Sequence, residues 1–123
     1  MSEMREDYID EVIKEWGIEL PNLDTAGLSI GGRILILAKY IEQRVDRCLA
    51  PFGLQIWGYD VLVSLRRAGE PFTQTPTRLM RNCFLTSGAV TNRVNRLEAS
   101  GLIVRSHDTV DRRSVNVTLT EKG

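Results

Sequence analysis

The stretch TSGAVTNRVNRLEASG, residues 86–101, combines a helical pattern with side chains that hydrogen-bond well to nucleic-acid bases. At about 100° per residue, Val90, Val94 and Leu97 form one apolar stripe. The opposite face collects Gly88, Asn92, Asn95, Arg96 and Ala99. Asparagine and arginine make paired hydrogen bonds to adenine and guanine edges, whereas carboxylates at these positions would be repelled by phosphate. The pattern therefore predicts a helix whose polar face enters a groove of duplex DNA.

The N-terminal end of this predicted helix carries two small residues, Ser87 and Gly88. Small side chains let a phosphate approach the backbone, where the free N–H groups of a helix N-terminus favour an anion. Both residues are therefore expected DNA contacts. The alternative is a helix that packs in a bundle with an asparagine-rich solvent face, and it predicts nothing about the neighbouring segments.

The neighbouring segments supply the elements that would position this helix. Thr75 or Thr77 can cap a preceding short helix, and the sequence FLTS interrupts it, which makes a helix-turn-helix. Downstream, LIVRS (102–106) and SVNVTLT (114–120) are rich in β-branched residues and predict a hairpin. Its charged connector, HDTVDRR, carries His107, Asp111, Arg112 and Arg113.

Upstream of this block, the apolar spacing predicts three more helices. The first covers residues 5–16, stops at Gly17, and carries the apolar residues Ile9, Val12, Ile13 and Trp16. The second is capped by Asp24, runs to about residue 50, and carries the stripe Ile30, Ile34, Leu37, Ile41, Val45 and Cys48. The third covers residues 55–68 and turns Trp57, Val61, Leu62 and Leu65 inward. The loop EPFTQTP that follows has room for a short extended piece.

The 123 residues, 42% of them hydrophobic, favour one small globular domain that is mainly α-helical with a small β-hairpin. No apolar run reaches the roughly 18 to 20 residues of a membrane span, and the acidic N-terminus lacks the basic start of a signal peptide. We therefore expect a cytoplasmic protein that does not bind membranes. Cys48 and Cys83 lie far apart within apolar patterns and are expected to be buried, reduced thiols.

The net charge is zero, but the charges are unevenly distributed along the chain. Residues 1–50 contain ten acidic and six basic side chains, whereas residues 51–123 contain six acidic and ten basic ones. Thirteen of the 16 basic residues are arginine, and seven of these lie between residues 78 and 113. Because arginine is favoured where phosphates or base edges are recognised, the second half of the chain is the expected nucleic-acid binding half.

The sequence does not support an enzyme. It contains no glycine-rich phosphate loop, no G-x-S-x-G elbow and no HExxH motif, and its single histidine leaves little for general acid–base chemistry. His107 has no nearby Cys or His with which to bind a metal, so we expect a solvated residue that contacts phosphate. We expect neither enzymatic activity nor a metal site nor a cofactor.

Taken together, these segments resemble the MarR (multiple antibiotic resistance regulator) family of winged helix-turn-helix regulators. The resemblance rests on LTSGAVTNRVNRLEASGLIVR followed by DRRSVNVTLTEKG, and it extends upstream through VLVSLRRAGEPFTQTPTRLM. It implies a regulator, more commonly a repressor, that binds a pseudo-palindromic operator as a homodimer, with half-sites about one helical turn apart. It also implies dimerisation helices within residues 1–50 and a DNA-binding region over residues 51–123.

The resemblance further implies roles for the hairpin, which is the wing of this family. Each recognition helix enters a major groove, and each wing reaches toward the neighbouring minor groove. Arg112 or Arg113 suits a narrow, electronegative minor groove, and Asp111 is expected to brace one of them through an ion pair. The residues leave open which arginine points outward.

Members of the family continue beyond LTEKG with another helix or two that complete the dimer interface, and this sequence stops there. Apolar positions of the long helix, such as Ile34 and Leu37, are then expected to be exposed and to favour association. The alternative is that these residues pack within the monomer.

A urate-responsive branch of the family resembles the sequence further, through Trp16, Asp60, Arg93 and Arg105. In such a site arginine supplies a cationic fork, tryptophan supplies a stacking face, and Asp60 would hold an arginine until a flat anion displaces it. The resemblance thus implies release from DNA by a small aromatic anion such as urate. The alternative is that Trp16 is a core residue and that the two arginines occur in the family whatever its members sense.

Two other mechanisms stay open at this point. A thiol-based redox sensor needs a reactive cysteine, and the apolar surroundings expected for Cys48 would make it a poor nucleophile. A winged helix can also serve as a protein-interaction module, because the fold alone does not dictate DNA binding.

Overall fold

The computed structural model describes residues 5–123, and the chain divides into two compact units, Met1–Arg47 and Cys48–Gly123. The first unit is helical. Helix α1 spans Tyr8–Glu19, and helix α2 spans Ala26–Leu49 and continues through the boundary between the units. A 3-10 turn, Ala50–Phe52, and Gly53 in the left-handed conformation (φ 66°) end α2 where the sequence predicts.

The first helix differs from its predicted bounds of residues 5–16. Its N-terminus is fixed by a capping box, in which the Asp7 carboxylate accepts hydrogen bonds from the backbone N–H groups of Ile9 and Asp10. The predicted stop at Gly17 is wrong, because this glycine keeps a helical backbone and the helix continues to Glu19. The helix ends before Pro21, whose predecessor is disfavoured from helical geometry.

Helices α1 and α2 are joined by one apolar contact and one charged cluster. Ile9 is buried against α2, where a Cβ on Gly32 would lie 2.8 Å from its Cδ1 atom. Beside it, Arg33 donates hydrogen bonds to both carboxylate oxygens of Asp7, at 2.8 and 3.0 Å, and to Asp10 at 2.6 Å. The cluster therefore connects the capping box of α1 to the side of α2.

Most of the apolar stripe of α2 is exposed. Ile34 and Leu37 are 60% and 58% exposed, so the alternative that they pack within the monomer is wrong. Cys48 is also exposed, which contradicts its predicted burial. The helix is amphipathic along its whole length, but an exposed stripe and a buried one have the same periodicity in sequence.

The second unit contains the predicted helix-turn-helix and hairpin. Its elements are α3 (Ile56–Arg67), β1 (Thr73–Gln74), α4 (Pro76–Asn82), α5 (Ser87–Ala99), β2 (Ile103–His107) and β3 (Val115–Leu119). The N-cap of α4 is Thr75, not Thr77, because the Thr75 hydroxyl accepts the backbone N–H of Arg78. Helix α5 begins after the N-cap Thr86.

The sheet has one strand more than the predicted hairpin. Strands β2 and β3 form that hairpin, with Ile103 opposite Leu119 and His107 opposite Val115. The short extended piece expected in EPFTQTP is β1, which pairs antiparallel with β3 and gives the strand order β1-β3-β2. The added strand fixes the outer edge of β3.

The core of the second unit lies between α3, α4, α5 and the sheet. Its buried side chains are Val61, Leu62, Leu65, Leu79, Val90, Val94, Leu97, Ile103 and Val117. Trp57, predicted to point inward with this group, is only partly buried at its margin. Within residues 5–123 no single helix is long and apolar enough to cross a membrane, although α2 and α3 pass that test as a pair by length and composition.

The Arg33 cluster predicts an unusually acidic carboxyl group. Hydrogen bonds from Arg33, then from the Asp10 backbone, lower the pKa of Asp7 from 3.8 to about 2. Because the folded pKa is the lower one, the ionised carboxylate stabilises the helix contact above the ordinary pKa and this contribution is lost as the pH falls toward 2. In an NMR pH titration, Arg33→Gln should return the pKa of Asp7 toward its ordinary value. Lys14→Gln, which removes a partner of Glu6, should leave it low; an unchanged pKa in Arg33→Gln would contradict the assignment.

Candidate nucleic-acid interface

Helix α5 is held by a complete apolar stripe on one side. Val90, Val94 and Leu97 are 1%, 2% and 1% exposed, as the sequence predicts. Leu97 lies close to α3, where a Cβ on Gly58 would be 3.2 Å from its Cδ2 atom. At the helix start, the Thr86 hydroxyl accepts the backbone N–H of Ala89. These contacts fix both the position of the helix and its rotation about its own axis.

The opposite face of α5 is open to solvent. Ser87, Gly88, Asn92 and Asn95 are exposed, and within residues 5–123 neither asparagine amide makes a hydrogen bond. A Cβ on Gly88 would meet no atom within 4 Å, so the internal packing of the protein does not require glycine there. The face can therefore offer two amide groups and an accessible helix start to an outside partner.

Two arginines of α5 make a contact with Trp57 that the sequence did not predict. The Arg96 guanidinium lies over the Trp57 ring, with its carbon 4.1 Å from the ring centroid. Arg93 donates a hydrogen bond of 3.1 Å to the Trp57 carbonyl oxygen. In turn, the Trp57 indole N–H donates to the Gln55 side chain at 2.9 Å. Stacking of this kind stabilises by about 0.5 to 1 kcal/mol at exposed sites, and it favours this orientation of Arg96.

The turn before α5 contains an unusual residue. Phe84 adopts the left-handed conformation, with φ at 54°, and its side chain is 96% exposed. The turn is closed by the Leu85 N–H, which donates to the Met80 carbonyl at 2.9 Å. Glycine or asparagine usually takes such a backbone position, so the sequence contains no standard signal for this turn.

The tip of the wing is built from backbone hydrogen bonds around two aspartates. The Asp108 carboxylate accepts the Val110 N–H at 2.8 Å, and the Asp111 carboxylate accepts the Arg113 N–H at 3.0 Å. Hydrogen bonds from the backbone N–H groups of Val110 and then of Asp111 lower the pKa of Asp108. The predicted ion pair of Asp111 with Arg112 or Arg113 is wrong for residues 5–123: Asp111 braces the turn through a backbone group instead.

The cationic groups of the wing are consequently uncommitted. Arg112 and Arg113 are exposed, and no carboxylate within residues 5–123 lies within ion-pair distance of either guanidinium. His107 is exposed at the end of β2, opposite Val115. The wing therefore presents three side chains that can approach a phosphate or a minor groove.

Among the described residues of the expected anion site, Arg105 has a partner that the sequence did not suggest. Arg105 is held by Glu98, whose Oε2 atom accepts hydrogen bonds from Nε at 2.9 Å and from Nη2 at 2.6 Å. Hydrogen bonds from the Arg105 side chain and backbone lower the pKa of Glu98. The Asp60 carboxylate holds no arginine within residues 5–123, so the bracing role expected for it is not observed. Trp16 lies in the first unit and is 41% exposed, so it is not a simple core residue.

The two cysteines differ in environment, and no metal-binding cluster accompanies either of them. Cys83 is partly buried, and its thiol donates a 3.6 Å hydrogen bond to the Asp60 carbonyl. Burial, with a smaller effect of the Asp60 charge, raises the pKa of the Cys83 thiol. Cys48 is exposed. Among residues 5–123, no group of three His, Cys, Asp or Glu side chains is placed to hold a metal ion.

Comparisons with known proteins agree with this geometry. A family model described as MarR family matches residues 52–114. The HTH-type transcriptional regulator PecS of Dickeya dadantii is 29% identical over 115 residues, which cover 94% of this chain and 69% of PecS. AbsC, a MarR family transcriptional regulator from Streptomyces coelicolor, superposes with a TM-score of 0.72 at 24% identity, over 83% of this chain and 69% of AbsC. A mutant of MarR from E. coli complexed with operator DNA superposes with a TM-score of 0.71 at 25% identity, over 88% of this chain and 69% of that one.

The cysteine environments predict unequal reactivity. At neutral pH, iodoacetamide should modify Cys48 about ten times faster than Cys83, because Cys83 is shielded and its thiol ionises less readily. Mass spectrometry of the two cysteine-containing peptides over time measures both rates in the same sample. Urea-unfolded protein is the control, in which the two rates should converge. Equal rates in the folded protein would contradict the environments described here.

Proposed function

The chain belongs to the MarR family, whose model matches more than half of it, and we propose that it is a sequence-specific DNA-binding transcriptional regulator. The carrying observation is the open face of α5. One exposed side of the helix carries the amides of Asn92 and Asn95, unpaired within residues 5–123, and the Arg96 side chain that stacks on Trp57. The same side includes the accessible helix start at Ser87 and Gly88. Those groups match the hydrogen-bonding edges and phosphates of a major groove.

The wing fits the same partner. Arg112, Arg113 and His107 lie on a short hairpin whose strands are paired residue by residue down to the tip. A cationic tip of this kind suits the phosphates or the narrow minor groove beside the major groove that a recognition helix occupies. We propose that Arg112 and Arg113 contribute affinity there, while α5 contributes base preference.

The proposal includes a homodimer acting as a repressor in the cytoplasm on a pseudo-palindromic operator. The exposed stripe of α2, with Ile30, Ile34, Leu37 and Ile41 each half or more exposed, supports self-association through the first unit. Two copies related by a two-fold axis would place two α5 helices on half-sites about one helical turn apart.

The DNA proposal predicts different effects for the helix and the wing. Asn92→Ala should lower specific affinity by roughly 1 to 3 kcal/mol and relax base preference at one position in each half-site. Arg112→Ala should weaken binding to all sequences and reduce the salt dependence by about one phosphate contact. Fluorescence anisotropy against DNA from upstream of the gene and against a scrambled duplex, over a salt series, measures both.

Two surface variants outside the second unit serve as matched controls. Gln43→Ala removes an exposed amide and is the control for Asn92→Ala, and Arg47→Ala removes an exposed guanidinium and is the control for Arg112→Ala. Neither control variant should change DNA binding in the way the variant it is matched to does. If Asn92→Ala weakens binding to all DNA sequences equally, the open face of α5 is not the face that reads the bases. Absence of binding at low salt would favour the protein-interaction module, whose apolar contacts would respond little to salt.

The release of DNA by a small aromatic anion such as urate belongs to the same proposal. Two arginines support it: Arg93 lies in α5 and Arg105 lies in β2. Because Glu98 holds Arg105, an incoming anion would compete with Glu98 for the guanidinium, not with Asp60. A thiol-based response is the competing mechanism, and the exposure of Cys48 leaves that thiol open to oxidants.

The anion proposal predicts opposite effects for the two partners of this ion pair. Arg105→Ala should abolish release of DNA by urate while leaving affinity for DNA largely intact, whereas Glu98→Gln should lower the urate concentration needed for release. Asp60→Ala is the informative comparison, since it should change the response only if Asp60 also contacts the anion. Anisotropy of preformed protein–DNA complexes titrated with urate measures all three. Undiminished release in Arg105→Ala would contradict the site, and release by peroxide alone would favour the thiol mechanism.

A further inference from the structure

A second concave site lies in the DNA-binding unit, outside the open face of α5 and the wing. The cavity has a volume of about 320 Å³ and is lined by Ser64, Arg67, Ala68, Thr73, Gln74, Arg78 and Asn82. Its lining residues come from α3 and the residue that follows it, from β1 and from α4. A volume of this size lies at the lower end of the range for small-molecule sites, about 300 to 1,000 Å³.

Three of the lining residues, Ser64, Gln74 and Asn82, form a polar cluster. Gln74, 7% exposed, donates a 2.6 Å hydrogen bond to the Ser64 carbonyl and accepts one of 2.9 Å from the Asn82 amide. The Asn82 amide also donates to the Ser64 hydroxyl at 3.3 Å. One hydrogen-bonded cluster thus connects three elements, α3, β1 and α4.

The charged groups of the cavity are all of one sign. Arg67 stands on α3 and Arg78 on α4, and no acidic residue lines the cavity. Within the described residues 5–123, neither guanidinium has a carboxylate within ion-pair distance. The neighbouring Arg66 makes a different contact: it stacks on the Phe72 ring, with its guanidinium carbon 4.4 Å from the ring centroid.

We propose that this cavity binds a phosphate group between Arg67 and Arg78. Two guanidinium groups, one on α3 and one on α4, supply planar, charge-assisted donors that match a phosphate, and the cluster of Gln74, Asn82 and Ser64 supplies neutral polar contacts. The proposal does not depend on the DNA-reading role of α5. The group can belong to the DNA backbone or to a free phosphate compound, since both present the same oxygens to the site.

The test compares two double variants of equal charge. Arg67→Gln/Arg78→Gln removes both guanidinium groups that line the cavity. Arg66→Gln/Arg81→Gln removes two arginines that lie on the same helices but do not line the cavity. Inorganic phosphate is titrated into each protein at constant ionic strength, followed by NMR of the Gln74 and Asn82 side-chain amides. Saturable shifts are expected in the parent and in the control variant, with at least a tenfold weaker affinity in Arg67→Gln/Arg78→Gln.

A second arm identifies the source of the phosphate. If the cavity holds a backbone phosphate of DNA, Arg67→Gln/Arg78→Gln binds DNA more weakly than the control variant and with a smaller salt dependence, and phosphate competes with DNA. If it holds a free phosphate compound, the two double variants bind DNA equally. Shifts that fail to saturate, or that saturate with the same affinity in both double variants, would overturn the proposal. Thermal unfolding of each variant verifies that the fold is retained. If none of the proteins binds DNA, the phosphate titration still tests the cavity site by itself.

Discussion

The arrangement of the DNA-binding unit depends on the burial of one side of α5. Val90, Val94 and Leu97 are almost completely excluded from solvent, and Gly58 lets Leu97 lie close against α3. Burial of three aliphatic side chains contributes several kcal/mol, which is large beside any single contact of the polar face. A helix cannot rotate about its axis without exposing such a stripe. The orientation of the amide face is therefore fixed by groups that never contact a partner.

The wing is held by the same core. Ile103 of β2 and Val117 of β3 are fully buried beside the α5 stripe, and β1 pairs with the outer edge of β3. The hairpin leaves the core with a fixed register, and its tip is closed by the Asp108 and Asp111 carboxylates. Helix face and wing tip are thus two surfaces of one unit that share a core, so the proposed contacts of α5 and of the wing depend on the same buried side chains.

The elements of this unit could be predicted from the sequence because each has a local signal. The period of Val90, Val94 and Leu97, the cap at Thr86 and the β-branched strands all lie within a few residues of what they specify. The pairing of side chains could not be predicted in this way. Trp57 contacts both Arg96, through its ring, and Arg93, through its backbone carbonyl, although more than 30 residues separate it from either arginine. Nothing in either segment identifies the other. The partner of Arg105 could not be predicted for a different reason: Asp60 and Glu98 are equally good partners in sequence, and only the strand that follows α5 brings Arg105 to Glu98.

The same limit applies to burial. Periodicity correctly marked α2 as amphipathic, yet it could not tell whether Ile34, Leu37 and Cys48 face a core or solvent, because that depends on what the stripe packs against.

The charges distinguish the two units more clearly than the apolar residues do. In the first unit, Arg33 is held by two carboxylates, so its charge contributes to internal structure. In the second unit, Arg112, Arg113, Arg67 and Arg78 have no acidic partner within the part of the chain described. The proposed function and the proposed cavity site depend on the same property of this unit, because a phosphate is the kind of anion that would neutralise these arginines.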